Sequence, residues 1–250
     1  MSRLKVVIAA GGMLLALAAC ARPHIEYDGT VHEGEAMFYD DGLLGNCSYP
    51  PENRPRYHAA MNRVDYASSR ACGTYVNIRR KDDPQKREVT VVIDNQCPEC
   101  SEGDIDLSPV AFDRIAGRVE GRVDIEWNYV PAPAGGPLQY RWKESSSKWW
   151  FQVMVLDHQY AITKVEVQAP LSDWTTLTRR AHNYWEAKNG IQKSAGPFTI
   201  RVTDIFGHTT TDYQVPLAPG QVVGGGQERD RSSKPLASDT RSMEPKNHGR

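Results

Sequence analysis

Three carboxylates stand where this chain could carry out acid–base chemistry. Asp94 closes the β-branched run Val89-Thr90-Val91-Val92-Ile93, and Asp106 follows twelve residues later, just ahead of Ser108-Pro109. A strand end and a helix start can meet on one groove floor. Asp41, with Asp40 before it and Gly42 after it, follows the strand-like run that ends at Tyr39. Two carboxyl groups about 6.5–9.5 Å apart, one an acid and one a base, are what inverting glycoside hydrolysis requires. Plainer roles compete. Asp94 can cap a turn, Asp106 can tie down the helix start, and Asp40-Asp41-Gly42 is ordinary turn chemistry.

A second group of residues suits a sugar polymer. Lys148-Trp149-Trp150 lies a few residues after Trp142-Lys143. Sugar rings present apolar C–H faces, and large aromatic rings cover them with broad, rigid surface. On a regular strand adjacent residues point to opposite sides, so one of the two tryptophans would face a core. Burial of both in a sandwich core is the rival reading.

Five cysteines divide by position. Arg3 and Lys5 precede an apolar run, Val6 to Ala18, that is too short for a settled membrane span and ends in Leu17-Ala18-Ala19-Cys20. That string looks like a bacterial lipobox, in which Cys20 is acylated and becomes the new N-terminus. Ala21 behind it resembles outer-membrane sorting. The rival is an ordinary signal peptide with a chance cysteine. Loss of residues 1–20 moves the net charge from −1 to about −3, so attraction to charged polymers is weak. No charge block points to nucleic acid. An exported chain permits disulfides. Cys47, Cys72, Cys97 and Cys100 allow three pairings, of which Cys47–Cys72 with Cys97–Cys100 is favoured. Cys97-Pro98-Glu99-Cys100 also reads as half a zinc site or a redox motif. No second CxxC, no His pair and no strand-to-helix setting supports either, so no metal or cofactor is expected.

These residues need elements to hold them, and the 250-residue chain has room for two modest domains. Residues 21–33 read as a linker and 34–133 as a first unit of short strands. Val123, Ile125 and Trp127 share one face there, and one helix starts at Ser108-Pro109 with Val110, Phe112 and Ile115 as its apolar side. The stretch 130–137 is rich in Pro, Ala and Gly and joins the units. Residues 137–217 carry strand patterns at 150–156, 164–168, 198–203 and 209–215, which suggests a β-sandwich. From 218 to 250 apolar periodicity vanishes, and this tail reads as disordered.

Six strings in order resemble the expansin family. Gly34-Glu35-Ala36-Met37-Phe38-Tyr39, Ala71-Cys72-Gly73-Thr74-Tyr75-Val76, Val92-Ile93-Asp94-Asn95-Gln96-Cys97-Pro98 and Gly103-Asp104-Ile105-Asp106-Leu107-Ser108-Pro109 resemble the first domain. Tyr140-Arg141-Trp142-Lys143 through Lys148-Trp149-Trp150, with Val202-Thr203-Asp204-Ile205-Phe206-Gly207, is similar to the second. The resemblance implies an all-β chain, a six-stranded double-psi β-barrel followed by an immunoglobulin-like β-sandwich. It also implies binding and non-hydrolytic loosening of cellulose or related wall glycans. Asp106 then matches the essential carboxylate, which corresponds to the general acid of family 45 endoglucanases, and Asp94 matches its groove neighbour.

Trp149 and Trp150 match the flat aromatic face, and Lys143 matches a lysine beside it. The third aromatic position falls on His182, where Tyr184 or Trp185 could supply the ring. Met37 departs from a usual threonine, leaving Tyr39 to replace its contact with the sugar. Asp41 falls near the hydrolases' base. The resemblance and the lipobox together give a wall-loosening lipoprotein, expected to be a monomer, with a family 45-like endoglucanase and a peptidoglycan-active lytic lipoprotein as alternatives.

Overall fold

Alternation of apolar and polar residues becomes six strands in the first unit: β1 His32–Phe38, β2 His58–Asn62, β3 Tyr75–Arg80, β4 Glu88–Cys97, β5 Ile105–Leu107 and β6 Val123–Val130. The computed structural model describes residues 25–39, 42, 45–133 and 136–228. Cys20 and Asp41 lie outside the described residues. The six strands close into a barrel in the order β1-β5-β2-β4-β3-β6. β1 runs parallel to β5 and β2 parallel to β4, while the other neighbours are antiparallel. This is the double-psi barrel. Val123, Ile125, Trp127 and Tyr129 alternate into its core.

Two short helices attach to it. The expected one, α2, is shorter than its pattern and spans only Pro109–Phe112, with Ile115 buried beyond its end. Ser108 sits at its N-cap, but its hydroxyl accepts from the His58 N–H at 3.4 Å rather than from the helix. The other, α1 Arg63–Tyr66, was not anticipated. Four residues leave no helical period in the sequence, and the cap is Asn62, whose side chain accepts from the Asp65 N–H at 3.0 Å.

The second unit is a sandwich of β7 Gln139–Trp142, β8 Phe151–Leu156, β9 Ile162–Gln168, β10 Thr175–Thr176, β11 Thr178–Arg179, β12 Trp185–Ala187, β13 Phe198–Asp204, β14 Thr209–Val215, β15 Val222–Gly224 and β16 Gly226–Glu228. One sheet has the order β10-β9-β13-β14-β16 and the other β11-β12-β8-β7-β15. Between them Trp142, Phe151 and Phe198 pack edge to face, with Phe151 centred 4.8 Å from Trp142 and 5.2 Å from Phe198.

Two boundaries differ from the sequence reading. Residues 21–33 are not merely a linker, because β1 begins at His32, Ile25 is buried and the Tyr27 hydroxyl accepts from the Ala161 N–H at 3.0 Å. The disordered tail does not begin at 218. β15 pairs with β7 and β16 with β14, so the sandwich continues to residue 228. Open sheet edges offer unpaired backbone groups, and a Gly-rich segment can join them without apolar periodicity.

A packed seam joins the two units. Met154, Leu156, Ala161 and Tyr184 of the sandwich belong to the barrel's apolar cluster. Backbone carbonyls 180–182 accept in turn from Ser69 at 2.8 Å, Tyr66 at 3.0 Å and Ser48 at 3.0 Å. Asn183 donates to the Cys47 carbonyl at 3.3 Å. His158 is buried here, and burial pushes its pKa down to about 4, so the ring is neutral. Gly73 lies beneath it at φ +77°, where a Cβ would come 2.4 Å from His158 Nε2 and 2.5 Å from the Tyr49 hydroxyl. Gly73→Ala should therefore cost about 1–3 kcal/mol of stability through overpacking, read as a lower denaturant midpoint. An unchanged midpoint would contradict this packing.

Candidate functional site: a barrel groove and an aromatic face

Strand register sets the groove. Met37, Asp106, Ala60 and Asn95 stand side by side across β1, β5, β2 and β4. Ile105 and Leu107 point into the core, so Asp106 and its row face outward. The β2–β4 register skips a residue between Ala59 and Ala60, and Asp94 occupies that irregularity. Such a bulge re-aims a side chain, which brings Asp94 to the same end of the barrel as Asp106.

The two carboxylates have different surroundings. Asp94 is 1% exposed and forms an ion pair with Arg54. Burial pushes its carboxyl up, while the Arg54 guanidinium and the nearby His58 pull against that shift. Among the described residues no such cation stands beside Asp106. Its Oδ1 is buried without a hydrogen-bond partner among the described residues. Burial first, and the charge of Glu99 second, raise its pKa to about 6. This is the environment of a carboxyl that holds its proton about two pH units higher than a free aspartate.

Arg54 links the groove residues, and the sequence reading missed it. It donates to the Tyr39 hydroxyl at 3.3 Å and to the Gly42 carbonyl at 3.1 Å, besides pairing with Asp94. Its only sequence signal was an arginine held between Pro51 and Pro55, next to a tight Pro51–Asn53 turn. Tyr39 stands in the groove as expected. Burial and the charges of Asp94 and Asp106 raise its pKa, with Arg54 opposing, so it keeps its proton. Met37 beside Asp106 brings no hydrogen-bond donor.

On the sandwich both tryptophans are open to solvent, Trp149 at 54% and Trp150 at 43%. They do not alternate along a strand. Ser147 and Trp150 pair across a tight turn, with Ser147 N–H donating to the Trp150 carbonyl at 2.8 Å. The Ser147 hydroxyl accepts from both tryptophan N–H groups, at 3.3 and 3.2 Å. Lys148 and Lys193 place their ammonium groups 5.0 and 5.3 Å from the centre of the Trp149 ring. Gly190 at φ +66° underlies the turn, where a Cβ would meet the Lys148 carbonyl at 2.0 Å. Trp142, by contrast, is core.

Lys143, His182 and Tyr184 come together nearer the seam. Lys143 Nζ is 3.3 Å from His182 Nε2 and 5.3 Å from the centre of the Tyr184 ring. Burial, then Lys143, lower the His182 pKa, so the ring is a neutral acceptor for that ammonium. Tyr184 is a correction. It is only 4% exposed, packed against the barrel, and offers no open face to a sugar. Trp185 is sandwich core and cannot supply the ring either.

Loop 45–48 connects the groove to the His182 segment of the sandwich. Cys47 N–H donates to the Asp94 carbonyl at 3.1 Å, Asn46 N–H to the Asn95 side chain at 2.7 Å, and Ser48 to the His182 carbonyl. Cys47 is bridged to Cys72 and Cys97 to Cys100, the favoured pairing. The second bridge takes both thiols of the CxxC motif.

A double-psi barrel with an outward carboxylate groove, joined to a sandwich with an exposed tryptophan turn, is the two-domain expansin architecture. Residues 34–127 match the family model described as lytic transglycolase, and 138–216 match the expansin C-terminal domain. Expansin-YoaJ of Bacillus subtilis is 31% identical over 222 residues, covering 86% of this chain and 91% of that protein. Expansin-like protein 1 of Dictyostelium discoideum is 26% identical, covering 71% of this chain and 64% of its own length. Crystal structures of Clavibacter michiganensis expansin, one apo and one of a variant in complex with cellohexaose, superpose with TM-scores of 0.72 and 0.71 at 31% identity. Each covers 79% of this chain and 97% of the other. The chain belongs to the expansin family, among the bacterial expansins.

Two outcomes test the site. The Asp106 carboxyl should titrate near pH 6, followed by carboxyl carbon NMR with Asp106→Asn to assign the signal. A folded pKa raised above the unfolded value of 3.8 favours the folded state below that pH and loses this benefit as pH rises through 6. Stability of the wild type relative to Asp106→Asn should therefore fall over that range, and a midpoint near 4 would refute the assignment. Gly190→Ala should displace the tryptophan turn and change the near-ultraviolet signal of Trp149 and Trp150. An unaltered spectrum would show that the turn does not rest on Gly190.

Proposed function

We propose that this chain is an exported wall-loosening protein that binds cellulose or a related polysaccharide and separates glycan contacts without hydrolysing them. One observation carries the reading. Loop 45–48 ties the carboxylate groove to the His182 segment of the sandwich, the same domain that carries the exposed tryptophan turn, which supports one extended glycan lying along both. Trp149 and Trp150 cover the C–H faces of the sugars, and Lys143 and His182 supply polar contacts nearer the seam. In the groove Tyr39 donates to hydroxyls. Asp106 exchanges hydrogen bonds with a sugar hydroxyl in place of those the glycan makes with its neighbour. Asp94, held by Arg54, shapes the groove wall. The relatives that carry the name expansin, one of them solved with cellohexaose, support this reading.

Hydrolysis would need a second carboxylate as base, and Asp41, the candidate, lies outside the described residues. Anchoring belongs to the same proposal, with Cys20 acylated and holding a monomer to the outer membrane or cell surface. A second reading has its own support. The barrel matches a family model described as lytic transglycolase, which favours peptidoglycan as the polymer acted upon.

Binding to cellulose, xylan and peptidoglycan by pull-down should show retention on cellulose that falls about ten-fold or more in the Trp149→Ala/Trp150→Ala variant. Unchanged retention would refute the aromatic face. Asp106→Asn should abolish creep of stretched wall strips while leaving retention intact, with no new reducing ends in any sample. Release of muropeptides from peptidoglycan would instead establish the lytic reading.

A further inference from the structure

The Cys97–Cys100 bridge lies against the groove carboxylate, a position that stapling the fold does not require. β4 ends at Cys97, and the turn Pro98-Glu99 returns Cys100 to it, so the bridge spans only three positions in sequence. Cys47–Cys72 spans 25 and fixes the seam. Closing a short loop removes little entropy from the unfolded chain, so the fold depends far less on the Cys97–Cys100 bond. Cys100 is half-buried rather than sealed, and a reductant can approach it, whereas Cys47 and Cys72 are both fully buried.

The side chains around this bridge form a ligand set. One ligand atom from each of Cys97, Cys100 and Asp106 lies within 4.8 Å of the other two. Asp106 Oδ1 is buried and accepts no hydrogen bond among the described residues. Glu99, between the cysteines, adds negative charge that reaches Asp106. Around tetrahedral zinc, sulfur at about 2.3 Å and oxygen at about 2.0 Å place ligand atoms roughly 3.3–3.8 Å apart. Parting of the two sulfurs once their bond is gone, and a small inward rotation of the carboxylate, would reach that spacing.

We propose that reduction of Cys97–Cys100 converts this corner of the groove into a binding site for a soft divalent cation such as zinc, with both thiolates and the Asp106 carboxylate as ligands. A dithiol reductant delivers two electrons and two protons to the bridge. The S–S bond breaks, two thiols form, and the reductant becomes a disulfide. Cation binding then releases both thiol protons to solvent, since thiolate is the liganding form. With Cys97 and Cys100 oxidised the site has no thiolate and does not bind. With the cation in place Asp106 is withdrawn from any sugar hydroxyl. That last consequence rests on the wall-loosening reading, whereas the metal site itself does not.

Cadmium serves as the probe, because thiolate-to-cadmium charge transfer absorbs in the ultraviolet. The full chain is reduced with a phosphine, desalted without oxygen and titrated. Oxidised wild type and a reduced Cys97→Ser/Cys100→Ser chain, which keeps Cys20, Cys47 and Cys72, serve as controls. Reduced wild type should bind one cadmium beyond the serine control, and oxidised wild type no more than the oxidised serine control. Asp106→Asn should weaken that affinity at least ten-fold in competition with a chelator. Cadmium NMR of the wild type, which needs no variant to fold, should show a mixed sulfur–oxygen donor set. Equal binding by reduced wild type and the serine control, equal affinity in Asp106→Asn, or an all-sulfur resonance would each overturn the proposal. Cadmium binding that leaves wall creep intact would overturn the loosening role of Asp106 and leave the metal site standing.

Discussion

The close contact of Gly73 with Tyr49 and His158 is the constraint on which the rest of the molecule depends. A side chain at Gly73 would occupy the space where the sandwich meets the barrel. With that space open, Met154, Leu156 and Tyr184 complete an apolar cluster shared by both units. The Cys47–Cys72 bridge lies beside it, and loop 45–48 takes its position from that bridge. The same loop touches the backbone of Asp94 on one side and of His182 on the other. Groove and aromatic face are therefore held in one frame by packing and backbone hydrogen bonds, and a rigid polymer needs both in line.

Within that frame electrostatics assign different work to the two groove carboxyls. Asp94 is buried opposite an arginine, and removing either partner would leave an uncompensated buried charge. That makes it a fixed wall element. Asp106 has burial without a cation among the described residues, so its proton is held more tightly than in a free carboxyl; its Oδ1, like that of Asp94, accepts no hydrogen bond from them. Only the second arrangement suits a group that trades hydrogen bonds with a sugar. The tryptophan turn is rigid for a different reason. Ser147, Gly190 and two lysines fix its backbone and one ring before any sugar arrives, which lowers the entropy cost of binding.

Much of this was legible in local sequence. Alternation in 123–127 placed Trp127 in the core, and the Ser108-Pro109 start fixed the place of α2 just behind Asp106. What was not legible depends on contacts between distant segments. Arg54 gains meaning only once loop 51–55 folds over Asp94, forty positions away. The exposure of both tryptophans follows from a turn where strand alternation was expected, and that turn depends on Gly190 from another loop. Tyr184 looked available because it lies two residues beyond the third aromatic position at His182, yet the barrel covers it. The strands at 222–228 have no apolar period because sheet edges supply their partners.

The central claim is that one glycan chain engages the face and the groove together. Backbone amide shifts, measured while soluble cello-oligosaccharides of increasing length are titrated in, test it most directly. The account predicts that short oligomers move only Trp149, Trp150 and their neighbours, and that longer ones at saturation also move Asn46, Ser48 and Asn95. Amides of loop 45–48 that stay unmoved with every saturating oligomer would contradict it.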